Sequence, residues 1–93
     1  MKKFNLNYMI KVKLTDYGKD IFYHRYDEIN DYLVRNGLKP IEPCFPEVDD
    51  DGFSKFQLWY FMNIYGKYLE LGFDQMPIEN LNIYIDEKDL DEV

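Results

Sequence analysis

His24 is the one histidine of this 93-residue chain, and carboxylates stand around it at helical spacing. Asp20 and Glu28 lie four residues to either side, and Asp27 three residues on. Such a set could in principle hold a metal, but a structural zinc site draws on several Cys or His ligands. General acid–base work would need His24 in a cleft beside a group that shifts its pKa, and its neighbours read as a solvated charged face. Cys44, the one cysteine, sits in a proline-rich loop. A nucleophilic thiolate needs a nearby base or a positive helix end. The sequence supplies neither, so Cys44 is expected to be buried and inert. Glu47, Asp49 and Asp51 before Gly52 fit positions one, three and five of a calcium loop with glycine at six. Position twelve is then Leu58, where the loop needs a bidentate glutamate. An acidic turn before a helix has sufficient cause in the helix dipole.

No glycine-rich phosphate loop, Gly-x-Ser-x-Gly or His-Glu-x-x-His is legible. The expectation is a protein that is not an enzyme and takes no cofactor or metal. Two sets remain as candidates for binding a partner. Asp20, Asp27 and Asp31 form an acidic row along one side of a helix, about 16 Å long at 1.5 Å per residue. A rigid row of acids can occupy a basic groove built for phosphates. Phe56, Trp59 and Tyr60 are expected off the main core face of a second helix, as an aromatic surface of the kind that anchors interfaces.

The elements that position these residues follow from periodicity. Phe4, Leu6, Tyr8, Ile10, Val12 and Leu14 share one parity, which predicts a half-buried strand. Met9, on the wet side, is also an alternative start, which would make residues 1–8 an extension. Thr15 and Asp16 are good N-caps for a helix from Tyr17 to Asn36, ended by Gly37 and Pro40. Its core stripe is Phe22, Tyr26, Ile29 and Leu33, widened by Ile21 and Tyr32.

Residues 38–53 read as a loop, with a short edge strand around Phe45 to Val48. Ser54 with Gln57 reads as a capping box, with Phe53 stapling onto Leu58, for a helix from Lys55 to about Leu71 that Gly72 ends. Gly66 within it is expected to allow a close backbone approach. Leu81, Ile83 and Ile85 predict a last strand, and residues 86–93 an acidic, mobile tail. The fold class is therefore α+β in the order strand, helix, loop, helix, strand. One domain spans 1–93, with a small sheet, formed mainly by the N- and C-terminal strands, covered on one face by two helices. Whether those strands run parallel or antiparallel is left open.

Composition narrows the function class. Eleven bases against eighteen acids give a net charge of -7, which argues against direct nucleic-acid binding. The charge is uneven: residues 1–13 hold four lysines and no acids, and residues 40–93 hold thirteen acids and three lysines. No apolar run approaches the roughly 20 residues of a membrane span, and the first ten residues lack the apolar region of a secretory leader. A lone cysteine cannot form an internal disulfide, so a reducing, cytoplasmic compartment is expected. Aromatic residues make up 18% of the chain, enough to serve both a thin core and an interface.

The run Lys-Leu-Thr-Asp-Tyr-Gly-Lys-Asp-Ile from Lys13 to Ile21, with Tyr-His-Arg-Tyr-Asp-Glu-Ile-Asn from Tyr23 to Asn30, resembles small proteins of phages and prophages of Gram-positive bacteria. The block from Asp50 to Trp59, Met-Asn-Ile-Tyr-Gly from Met62 to Gly66, and the segment from Met76 to Ile85 extend the resemblance over most of the chain. It carries no catalytic signature and no functional residues. It implies a small phage early protein acting inside a bacterium. In that setting small acidic proteins are often inhibitors of host defence or host enzymes, anti-CRISPR proteins among them, an association by setting rather than by chemistry. The partner is then expected to be a bacterial host protein, with a homodimeric or otherwise homo-oligomeric adaptor of phage replication or assembly as the alternative.

Overall fold

Ile10 and Val12 are fully buried, Leu14 nearly so, and Lys11 and Lys13 between them are half-exposed. That alternation is the period-two pattern of a strand with one core face, and in the computed structural model, described for residues 1–69 and 74–93, it belongs to the centre of the sheet. The elements are β1 (Lys2–Lys3), β2 (Met9–Val12), α1 (Asp16–Arg35), β3 (Ser54–Gln57), α2 (Leu58–Tyr65) and β4 (Asp91–Glu92). β2 pairs antiparallel with β3, Ile10 opposite Phe56 and Val12 opposite Ser54. On its other side Lys11 exchanges backbone hydrogen bonds with Tyr84, at 2.9 and 2.8 Å. β1 pairs antiparallel with β4 as a separate ribbon. The class is α+β, with two helices and two small antiparallel sheets. Among the described residues no helix is long and apolar enough to cross a membrane.

α1 begins as the sequence predicts. Thr15 accepts from the Gly18 N–H at 3.1 Å and donates its hydroxyl to the Met76 carbonyl at 2.6 Å. Gly37, at φ +74°, and the bond from Leu38 N–H to the Leu33 carbonyl end the helix. Phe22 is buried and Tyr26, Ile29, Leu33 and Ile21 are half-buried, but Tyr32 is 65% exposed. The second half of the helix projects. Residues 38–48 return along it, tied by two Asn30–Ile41 hydrogen bonds at 2.7 and 2.8 Å and by Phe45 stacked 4.5 Å from Tyr23. This arm stretches the molecule to 49 × 29 × 29 Å, with a radius of gyration of 15.3 Å against about 12 Å for a compact chain of this length.

The first strand is shorter than expected. Asn5 forms a turn, accepting from Tyr8 N–H with its carbonyl and from Asn7 N–H with its side chain, so pairing starts only at Met9 and Leu6 is 62% exposed. The helix expected from Lys55 begins three residues later, because 54–57 are strand. Ser54 caps nothing: it is buried and its hydroxyl donates to the Glu47 carbonyl at 2.7 Å. α2 starts after Gln57 without a side-chain cap. Its first N–H groups, of Leu58 and Trp59, donate instead to the carbonyls of Tyr8 and Leu6. The free donors of a helix start are met by a backbone turn rather than by a serine. α2 ends at Tyr65 and a 3-10 turn, Gly66–Tyr68, follows. The end expected at Leu71 and Gly72 lies outside the described residues.

Residues 45–48 run beside the start of β3 but form no strand. The last strand is reduced to isolated antiparallel bridges, Ile78 with Leu14 and Tyr84 with Lys11. Between them Asn80 and Leu81 take φ of +53° and +58°, which throws the chain outward and leaves Leu81, Ile83 and Ile85 exposed. Residues 86–93 are exposed apart from half-buried Asp89 and Leu90, and two of them are paired, Glu92 with Lys2 and Asp91 with Lys3.

The core gathers Ile10, Val12, Leu14, Phe22, Phe56, Phe61, Ile64, Tyr65 and Ile78. Tyr65 is fully buried and donates to the Gly18 carbonyl at 2.9 Å, and burial pushes its phenol well above the usual value. The glycine that permits close approach is Gly18: a Cβ there would stand 2.1 Å from the Pro77 carbonyl oxygen. Gly66 meets only the tip of Met62, 3.9 Å away.

Candidate functional site

The acidic row lies on exposed α1 as expected, but its members differ. Asp31 pairs with Arg35 one turn on, and Asp27 approaches His24 Nδ1 at 3.4 Å. Among the described residues Asp20 has neither kind of ion pair. The helix thus answers the charge of Asp31 with its own Arg35 at i,i+4 and sets the His24 ring beside Asp27 at i,i+3, the neighbours that a helix surface provides.

The aromatic set does not form one surface. Phe56 is only 5% exposed and packs about 6 Å, centroid to centroid, from Phe22, Phe61 and Tyr65. The strand geometry of 54–57 turns it inward with Ser54, where a helix would have left it off the core. Trp59 is 46% exposed, and half-buried Tyr60 lies 5.6 Å from it. With Met62, also exposed, Trp59 is what remains of the expected patch.

His24 stands on open helix surface at the rim of a groove of about 540 Å³ between α1 and α2, lined also by Arg25 and Lys67. Cys44 is exposed rather than buried, with its Sγ 3.2 Å from the Tyr26 hydroxyl. That contact is the first cause of a raised Tyr26 pKa. In the acidic run, Asp49 Oδ1 accepts from the N–H groups of Phe53 (2.8 Å) and Asp51 (3.0 Å). Those bonds, Phe53's first, hold its carboxyl below the usual range. The side chain is an internal turn cap. Among the described residues no group of three or more His, Cys, Asp or Glu is placed to hold a metal ion.

Two features escape the sequence reading. Arg25 is half-buried with its guanidinium 4.2 Å over the Phe22 ring and 4.6 Å over Tyr26, and its Nε is buried without a hydrogen-bond partner among the described residues. The signal was present in the three-residue spacing from Phe22, on the same helix face. The other is the sheet surface turned away from the core, where Lys11, Lys13, Lys55 and Phe53 meet. Its signal is the alternation of Phe53, Lys55 and Gln57 with Ser54 and Phe56 just after an Asp-Gly turn, a hairpin-like pattern that the capping-box reading of Ser54 and Gln57 concealed. A further groove of about 610 Å³ follows β3, between its outer edge and residues 46–49. Comparison with protein-family models, with curated proteins and with solved structures finds no match to this chain.

Proposed function

We propose that this chain is a non-enzymatic binding protein, a phage-encoded inhibitor that engages a protein of the bacterial host in the cytoplasm, of the kind that includes anti-CRISPR proteins. The observation that carries the binding part is the arm. Tyr32, Val34, Leu38, Ile41, Phe45 and Val48 are all about half exposed or more on the end of α1 and the segment that returns along it. Asp27 and Asp31 stand on the same helix. Exposed apolar side chains with charged neighbours are the makeup of an interaction surface. The phage setting rests on the resemblance of the sequence blocks and on nothing in the fold. The test is a pull-down from a Gram-positive host lysate at low and high salt, with the wild type and with Asp20, Asp27 and Asp31 all changed to Asn. A host protein recovered by the wild type, lost in high salt and lost in the triple variant supports the reading. Recovery of nucleic acid alone, or of nothing, overturns it.

The homo-oligomer reading draws on exposed Trp59 and Met62 on α2. Self-association through them would make sedimentation and Trp59 emission depend on concentration. A monomer at high micromolar concentration with unshifted emission removes it.

A further inference from the structure

Among the described residues α1 and α2 pack on one face of the sheet, and its other face, with the 3-10 turn Glu87–Asp89 at its edge, is built in register. Lys11 stands directly opposite Lys55. Lys11 exchanges its backbone bonds with Tyr84 rather than with β3, so the pair is of the non-hydrogen-bonded kind, in which side chains are closest. Like charges facing each other across a strand pair are destabilising. The Phe53 ring lies under two ammonium groups, Lys13 Nζ at 5.0 Å and Lys11 Nζ at 5.7 Å from its centroid, with Tyr84 edge-on to it at 4.9 Å. Among the described residues none of Lys11, Lys13 and Lys55 makes an ion pair, while the chain holds eighteen acids to eleven bases. Asp49, the acid close enough to feel Lys11 and Lys55, spends Oδ1 on its own turn. Among the described residues the three lysines thus stand together without an ion pair, with Asp49 acting on Lys11 and Lys55 only from beyond ion-pair distance. Local rules broken in this way are expected at functional or strained sites.

We propose that this uncovered sheet face is a docking site for a short acidic and apolar segment of a partner protein. The carboxylates would meet Lys11, Lys13 and Lys55, and the apolar side chains would enter the open groove of about 580 Å³ that Tyr8, Met9, Phe53 and Tyr84 help to line. Charge complementarity selects the occupant. The patch is small and has Asp86 and Asp89 at its edge, so a long polyanion such as single-stranded nucleic acid meets repulsion where one or two carboxylates do not. The site goes beyond the inhibitor reading and is independent of it, since its test involves no host protein.

The experiment is a fluorescence-anisotropy titration of the full chain with a labelled ten-residue peptide of Phe and Ser carrying two Glu, beside the same peptide with Gln for Glu and a labelled ten-nucleotide oligo-dT. The Glu peptide should bind, weaken by at least about tenfold from 0.05 to 0.5 M salt, and lose at least about tenfold in Lys11→Gln/Lys55→Gln. The charge-matched control Lys67→Gln should leave it unchanged. No binding of the Glu peptide, equal binding of the Gln peptide, tighter binding of oligo-dT, or equal loss in Lys67→Gln each overturns the proposal. A second readout separates a binding role from a structural one: the urea midpoint of Lys55→Gln should equal or exceed that of the wild type. A lowered midpoint would show that Lys55 holds the sheet together, and would overturn the proposal.

Discussion

On the outer side of α1, Asp31 has Arg35 one turn on and Asp27 has His24 one turn back, whereas across the sheet Lys11 faces Lys55 and, among the described residues, neither makes an ion pair. A helix surface offers each charge several neighbours, so opposite charges can be placed three or four residues apart without disturbing anything else. A strand pair offers one directly opposite neighbour, and the register decides which. Here the register is fixed from beneath. Ile10, Val12, Ser54 and Phe56 all face the core, and a slip of one residue would turn them to water. The positions of Lys11 and Lys55 are therefore set by the core, but their chemistry is not, since a Glu at 55 would relieve the repulsion. The arm carries charge that its own helix partly answers. The sheet face carries lysines that, among the described residues, form no ion pair.

The comparison is broken most severely from below. Phe56→Ala removes the ring that sits between the sheet and both helices, and should cost about 3–5 kcal/mol by urea denaturation. Trp59→Ala, at a half-exposed site three residues on, should cost about 1 kcal/mol. Equal costs would mean that 54–57 does not place Phe56 in the core. Next comes the junction of the two regions, where α1 presses on the chain before Ile78. Gly18→Ala puts a methyl group against the Pro77 carbonyl, which is backbone and cannot step aside. About 2–3 kcal/mol is expected, in the range of overpacked cores. A midpoint like the wild type's would show that α1 can rotate away, and with it the arm relative to the sheet.

How much of this was legible in the sequence depends on what competed locally. α1 was readable at both ends, because Thr15 and Gly37 act through bonds to residues within a turn. Segment 54–57 was misread, because Ser54 and Gln57 satisfy a local capping pattern while β2, more than forty residues away, offers a whole ladder. The long-range partner won, and it moved Phe56 from the candidate surface into the core. The last strand failed for a different reason. Its alternation is intact from Leu81 to Ile85, but positive φ at Asn80 and Leu81 breaks its path, and neither residue is a glycine that would have announced it. Of the candidate site, the acidic row could be placed by helical spacing alone. The basic face could not, since it exists only once β2 and β3 are paired.

Asp49 sharpens the comparison at the edge of the sheet, with a smaller effect. Its folded pKa lies below the usual 3.8, chiefly through the Phe53 N–H bond. Its contribution to stability is therefore complete above the unfolded value and lost as pH falls through the lower folded one. Asp49→Asn keeps an oxygen acceptor for the turn and removes the charge. Stability near pH 7 should fall slightly and to a similar extent in low and high salt, by the charge-dependent part of those bonds, and the loss of stability in acid should become shallower, as read from urea midpoints at stepped pH. If Asp49 served instead as counter-ion to Lys11 and Lys55, the Asn variant would lose stability at neutral pH in low salt and regain it in high salt.

The smallest effect tests the comparison most directly, because it turns on sign. Arg35→Gln and Lys55→Gln each remove one cation from an exposed side chain, so both take the chain from the same net charge to one unit more negative, and any general effect of net charge cancels between them. What differs is the neighbour. Arg35 leaves Asp31 without its i,i+4 partner, a pair worth about 0.3–0.5 kcal/mol on an exposed helix. Lys55 leaves Lys11 without the like charge opposite it, which should give back a similar amount. The expected result at low salt is a midpoint slightly lowered by Arg35→Gln and unchanged or slightly raised by Lys55→Gln. The two should converge at about 1 M salt, where the Debye length shrinks to about 3 Å. Two variants that fall together would mean that the sheet lysines are stabilised by partners as the arm's charges are, and the contrast between the two surfaces would be lost.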